Sequence, residues 1–381
     1  MSGSLQTKKN MYYAVLSLKD ESGKNKTKWV ALKIPAVKGN KRKAEAELKR
    51  ILAESEAQNG LIVTDKLFCD YLSEWLENHR RNITQGSYEG YKIYLDKHIY
   101  PYYRELNVKL TELQPFHIQR YYNLKLSEDK PLTANTLKKH HALVRKCLQH
   151  ALQMNMILYN PADRITLPKI ERYQGKAYSA SQAMELLELC KGDVLETPIF
   201  LALQFGLRRS EVLGLKWEFV DFDNEVIHIR HTVVRLKTIV EKDGTKNQSS
   251  TRSLPMLGKA KVFLQKVKAQ QEEEKQLFGK DYIDSGYVCR WSDGKQLDPS
   301  LVSAKFAKLV KRSDLPKIRY HDLRHSAASI LVSMGCNVKQ VSSFLGHNQV
   351  STTLDIYAHL FNSASIELMQ KYDGILSEAT V

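Results

Sequence analysis

Between Thr64 and Leu167 apolar side chains recur three and four positions apart, a helical period that commits this part of the chain to helices packed around shared apolar faces. The run Leu67-Phe68-Cys69-Asp70-Tyr71-Leu72-Ser73-Glu74-Trp75-Leu76 carries the pattern, with Thr64 ahead of it as a capping candidate. Further helices are expected from Thr84 to Ile99, from Gln114 to Leu126 and from Thr133 to Met156. Pro115 and the stretch Ser127–Pro131 mark breaks, and Tyr159-Asn160-Pro161-Ala162 ends the last helix.

The flanks differ. Met11–Leu18 and Lys28–Ile34 are β-rich runs separated by the polar turn stretch Asp20–Asn25, a hairpin expected within a small three-stranded sheet. Lys41–Leu52 follows with helix formers. From Lys8 to Arg50 thirteen Lys and Arg face four acids, so this module is strongly basic. A linker is expected near 53–63, and the basic strip Arg164–Lys176, with Pro168, reads as a second.

From Ala177 onward helix and strand patterns mix. Ser179 caps a helix through Cys190, Pro198–Phe205 leads into the Gly206 turn, and Ser210–Leu215 forms a short helix. Val226–Ile229, Thr232–Val234 and Thr251–Pro255 read as strands. His321–Met334 is a helix stopped by Gly335, Asn337 caps the next and Gly346 terminates it. Ser351 or Thr352 caps another that carries Tyr357. The fold class is therefore mainly α, multidomain α+β, with domains at 1–60, 64–167 and 177–381.

The chain of 381 residues is 43% hydrophobic, enough for several cores, and lacks the long apolar run of a membrane span or signal peptide, which leaves it expected in the cytoplasm. Cys69, Cys147, Cys190, Cys289 and Cys336 are scattered without metal-ligand spacing, as reduced core thiols would be. A net charge of +16 suits a polyanionic partner. Charge alone does not separate DNA from RNA.

Two stretches far apart in the chain carry candidate chemistry: Gly206-Leu207-Arg208-Arg209-Ser210-Glu211, and a C-terminal set of His321-Asp322-Leu323-Arg324-His325, Leu345-Gly346-His347 and Tyr357. Guanidinium forks meet the charge that spreads over a phosphodiester as a nucleophile adds. A phenol, with a free pKa of about 10, is a usable nucleophile where nearby cations stabilise its phenolate. The order and spacing of Arg208 with Glu211, His321 with Arg324, a Gly-His ten residues before a Tyr, and that Tyr near the C-terminus, resemble the tyrosine recombinase family, most closely the integrases of phages and conjugative transposons.

That resemblance implies a site-specific DNA recombinase that cuts and rejoins DNA through a 3′-phosphotyrosyl intermediate, integrating and excising a mobile element. Arg208 and Arg324 would clamp the phosphate, Glu211 would orient a site side chain, and His321 would move a proton or donate to the phosphate, with titration near neutrality available to it. His347 would donate to the same phosphate and Tyr357 would attack; His325 reads as structural. Lys246, in the run Gly244–Pro255 that looks like the family's β-hairpin turn, would protonate the leaving 5′-oxygen, with Lys237, Lys242 and Arg252 as neighbours. Arg209 stays a rival to Arg208, and Tyr320 and Tyr372 are the nearest rivals to Tyr357.

The resemblance also implies an arm-type DNA-binding domain at 1–60, a helical core-binding (SAM-like) domain at 64–167 and a catalytic domain at 177–381. It implies double-stranded DNA at core and arm sites, a homo-oligomer (a tetramer on DNA), an excisionase and a host DNA-bending protein as partners, and no metal or other cofactor. Lys92, Lys97, Arg120, Lys138, Lys139 and Arg145 are candidate phosphate contacts, and the amphipathic run Ile366–Leu376 is a tail that docks on a neighbouring protomer. A type IB topoisomerase-like relaxing enzyme and a catalytically silent DNA-binding regulator are the alternatives.

Overall fold

The computed structural model describes residues 2–19, 25–58, 62, 64–170, 176–236, 238–243, 251–347, 349–351, 353, 354 and 369. The chain divides into two compact units, Met1–Glu171 and Arg172–Val381.

The first unit opens on an antiparallel sheet, β1 (Ser2–Lys8), β2 (Met11–Lys19) and β3 (Asn25–Pro35), in that order. The three strands were expected, but the one at Ser2–Lys8 carries too few β-branched residues to be legible. Register puts Leu5, Ala14 and Val30 on one face and Ser4, Val15 and Trp29 on the other. Helix α1 (Lys41–Gln58) covers the first face, where a Cβ on Gly3 would lie 2.9 Å from Leu52 and 3.3 Å from Leu48. The opposite face leaves Trp29 half exposed, with Tyr13 edge-on at 6.0 Å and the Lys8 ammonium 5.8 Å from its ring. Since α1 runs to Gln58, the linker expected from 53 starts later.

The helical period holds across the rest of this unit, with shifts at its ends. Helix α2 is Phe68–His79, not a helix from Thr64: Leu67 is held in a bridge to Lys109, and the Thr64 hydroxyl accepts from the Lys66 amide instead of capping. Helix α3 (Gln85–Tyr94) begins where a helix was expected, with Thr84 as its cap. The chain then continues beyond Ile99, because a π turn at Leu95–Ile99 leads into α4 (Tyr100–Leu106) and places Pro101 in that helix's first turn, where its missing N–H costs nothing. Helices α5 (Pro115–Ser127) and α6 (Ala134–Gln153) lie where sequence put them, the latter capped by Thr133. Leu137, Leu143, Val144, Cys147, Leu148 and Ala151 of α6 are fully buried against Leu72, Leu76, Ile99 and the tyrosines 103, 121 and 122.

In the second unit α7 (Ala180–Leu189) starts at a capping box between Ser179 and Gln182, and α8 (Glu196–Phe205) ends at Gly206. Helix α9 (Arg209–Gly214) follows. The strands split into two sheets: β4 (Val220–Asp221), β5 (Val226–Ile229) and β8 (Arg252–Pro255) form one, β6 (His231–Arg235) and β7 (Ile239–Asp243) the other. The two- and five-residue strands β4 and β7 were not expected. Neither were α10 (Lys259–Phe278) and α11 (Pro299–Lys311); α10 buries only Ala260 and Leu264, too faint a stripe to read. Helices α12 (Asp322–Ser333) and α13 (Val338–Leu345) match, with Asn337 capping and Gly346 terminating α13. Val350 and Ser351 are already helical, so Ser351 is not a cap; Thr352, the other cap expected, lies outside the described residues. Phe205, Leu207, Val212, Ile227, Val233, Phe306 and Leu323 share the core that holds these elements together.

Candidate active site

Burying a carboxylate requires cations around it, and Glu211 of α9, 2% exposed, has three. The Arg208 guanidinium donates to Glu211 Oε1 at 2.6 Å, Arg252 Nη2 reaches Oε2 at 3.2 Å, and Arg324 Nη1 lies 4.0 Å from the same oxygen. Glu211 also accepts from the Arg208 backbone amide at 3.0 Å, which closes a capping box at the start of α9. Burial would raise its carboxyl, but Arg252, then Arg208 and Arg324, hold its pKa below the ordinary value.

The same three arginines engage consecutive carbonyls at the C-terminal end of α13. Arg252 Nε donates to Phe344 O at 3.1 Å, Arg324 Nη2 to Leu345 O at 2.7 Å and Arg208 Nη2 to Gly346 O at 3.1 Å. A helix leaves its last carbonyls without helical partners, and its dipole makes that end negative. Arg324 also donates to Gly206 O at 2.7 Å and is 3% exposed, whereas the Arg208 side chain keeps 32% exposure.

Two glycines permit this approach. Gly206 adopts φ +59°, and a Cβ there would lie 2.8 Å from Phe344 and 2.9 Å from Leu345. Gly346 adopts φ +67°, and its Cβ would lie 2.9 Å from Arg252 Nη1.

His347 leaves that turn with Nδ1 2.8 Å from the Thr353 hydroxyl. Burial, then Arg324 and Arg208, push its pKa down to about 3, so the ring is neutral near pH 7. His321 and His325 stand edge to face, 5.4 Å apart. His321 is exposed and lines a cavity of about 620 Å³ with Arg208, Arg209, Ser303 and Arg319. The protein packed around the His321 ring, then His325 and Arg324, lower its pKa, a push that solvent at the exposed ring moderates. Asp322 beside it opposes that push, and the net direction favours a neutral His321 ring near pH 7. Its neighbour Asp322 is fully buried and bonded by Arg319 through Nε and Nη2.

The rivals separate. Arg209 turns to the Ser303 hydroxyl on α11, away from Glu211. Tyr320 is buried, donates to Pro198 O at 2.7 Å, and burial raises its phenol far above the usual value. Lys246, Tyr357, Tyr372, Lys237, the Lys242 side chain and the run Ile366–Leu376, Met369 apart, lie outside the described residues. Among the core candidates, Lys92 pairs with Glu77 and Asp96, and Arg145 with Asp163, while Lys97, Arg120, Lys138 and Lys139 are exposed. Sequence reading named Arg252 only as a neighbour of Lys246. The signal for it in the sequence is an arginine inside the expected strand Thr251–Pro255, in line with Leu254.

The phage integrase family matches residues 177–363, and the phage integrase N-terminal SAM-like domain matches 67–126. A tyrosine recombinase XerC-like protein of Caldanaerobacter subterraneus is 28% identical over 84% of this chain and 86% of its own. The ICEBs1 integrase of Bacillus subtilis is 24% identical over 87% and 89%. Among solved structures, the Tn1549 transposon integrase with transposon right end DNA superposes with a TM-score of 0.65 at 21% identity, covering 80% of this chain and 99% of that one. A lambda integrase dimer bound to a core site superposes with a TM-score of 0.58 at 17% identity over 92% and 94%. At these identities the structural likeness speaks for the fold.

Proposed function

This chain belongs to the phage integrase family of tyrosine recombinases and is a site-specific DNA recombinase, and we propose that it integrates and excises a mobile element by cutting and rejoining DNA through a 3′-phosphotyrosyl intermediate. The observation that carries this reading is the cluster around Glu211, where Arg208 and Arg324 are fixed on neighbouring carbonyls beside His347. Donors held in place before the reaction stabilise charge as it develops, without reorganising at that moment.

In this reading the Tyr357 oxygen attacks phosphorus as its proton passes to solvent or to neutral His321, the bond from phosphorus to the 5′-oxygen breaks, and Lys246 gives that oxygen its proton. Arg208 and Arg324 hold the non-bridging oxygens. His347 donates to the phosphate through Nε2, since its Nδ1 is engaged by Thr353. His321, at the cavity edge, donates to the phosphate or moves a proton. A 5′-hydroxyl from a partner strand then attacks the phosphotyrosine and reverses the step, so the bond energy is kept and no nucleotide is consumed. Glu211 orients the clamp. The turn of Arg209 toward Ser303 supports Arg208 as the clamp member, and the burial of Tyr320 removes one rival to Tyr357.

The substrate is double-stranded DNA. The net charge of +16 supports it, as do the related integrases solved on transposon-end and core-site DNA. Residues 1–60 form the arm-binding domain, 64–167 the core-binding domain and 177–381 the catalytic domain, and a tetramer on DNA performs the exchange, aided by an excisionase and a host DNA-bending protein. Trapping on a nicked suicide duplex tests the chemistry: wild type forms a covalent adduct, and Tyr357→Phe binds the duplex without forming one. An adduct with Tyr357→Phe removes Tyr357 as nucleophile.

A further inference from the structure

Arg252 is the one member of the arginine cluster that the recombination chemistry above leaves without a task. Its side chain is 9% exposed and its fork points inward. It begins β8, six residues after Lys246 in the sequence, and β8 pairs with β5 through Ile229 opposite Arg252. One guanidinium therefore spans three elements: its own strand, the Phe344 carbonyl at the end of α13, and the Glu211 carboxylate on α9. The Gly346 turn closes over it so tightly that a Cβ there would meet its Nη1 at 2.9 Å and its Cδ at 3.1 Å.

We propose that Arg252 is a positioning residue for DNA cleavage: its bridge between Glu211 and the end of α13 sets the separation of Arg208, Arg324 and His347, and ties β8 to that clamp. This rests on the cleavage reading above. The geometry needs a fork, because two acceptors on different elements are engaged by Nε and Nη2 at once. An ammonium on a flexible stem is a point charge and lacks that planar two-point reach. Displacement of reacting groups by about 1 Å costs about 10²-fold in rate.

Single-turnover adduct formation on a nicked duplex, with duplex Kd measured in parallel, tests this in the full chain with Arg252→Lys and Arg252→Met. The expected result is Kd within about twofold of wild type, with cleavage about tenfold slower in Arg252→Lys and about 10²-fold slower in Arg252→Met. The acid limb of the rate–pH profile also moves to higher pH in Arg252→Met. Glu211, left with Arg208 and Arg324, and His347, relieved of one cation, would both protonate more easily. A purely structural role would lower the melting temperature without moving that limb. Should Arg252→Met fail to fold, Arg252→Lys decides: a folded lysine variant cleaving at the wild-type rate across the pH range overturns the proposal. Failure of the cleavage reading itself is seen separately, as absence of adduct with the wild-type chain.

Discussion

Arg208 and Arg324 donate to adjacent carbonyls, Gly346 O at 3.1 Å and Leu345 O at 2.7 Å, although Arg208 caps α9, Arg324 lies on α12, and the two come from motifs far apart in the chain. The end of α13 thus serves as the common frame for both guanidiniums, and the turn that holds them also delivers His347.

Their unequal burial separates the consequences of losing each. Arg208→Ala and Arg324→Ala each slow cleavage by about 10²–10³-fold, the cost of removing a donor to developing charge. Arg324→Ala also destabilises the catalytic unit by about 3–5 kcal/mol, because it leaves buried carbonyls and Glu211 short of a partner. Arg208, with its side chain about a third exposed, costs less. Single-turnover cleavage and urea denaturation check both; equal stability of the two variants contradicts the argument.

Cleavage and rejoining proceed in EDTA and without added nucleotide, since guanidinium, imidazole and ammonium groups carry the charge and the phosphotyrosine retains the bond. Adduct assays with and without chelator read this directly. A strict Mg²⁺ requirement in the cleavage step would sink the mechanism.

Removal of residues 1–60 abolishes binding to arm-site oligonucleotides and leaves core-site cleavage by the remaining chain intact. The open sheet face with Tyr13, Trp29 and Lys8 goes with the deleted module, while every described member of the arginine cluster stays. Binding to separate arm and core duplexes at two salt concentrations distinguishes the sites. Loss of core cleavage in a folded truncation places the module within the active assembly.

Acid should loosen the helical unit through His140. It is fully buried, with Nδ1 3.0 Å from the Tyr121 hydroxyl and the His98 ring 5.4 Å away. Burial, then His98 and Lys125, lower its pKa to about 4, against an unfolded value near 6.5. Below that unfolded value the unfolded chain binds the proton more readily, so stability falls as pH drops from about 6.5 to 4, by roughly 3 kcal/mol at most, and levels off below. His140→Gln, which keeps a polar partner for Tyr121 but does not titrate, should flatten that slope in denaturation measured from pH 7 to 4. An unchanged slope assigns it to other groups.

The sequence by itself determined what is local. Helical periodicity placed α5, α6 and α12, and Thr84, Thr133, Ser179 and Asn337 announced helix starts because a side-chain oxygen satisfies an amide only a few positions on. Motif order picked out Arg208, Glu211, His321, Arg324 and His347 for the same reason: each motif is a short run with its own spacing. Tertiary structure decided the rest. It carried the chain past Pro101 through a π turn, set α10 on a stripe too weak to read, and buried Tyr320 while leaving His321 open. It also brought Arg252 to Glu211, which no local pattern encodes, because a buried carboxylate draws its cations from whatever strands and helices the fold lays beside it.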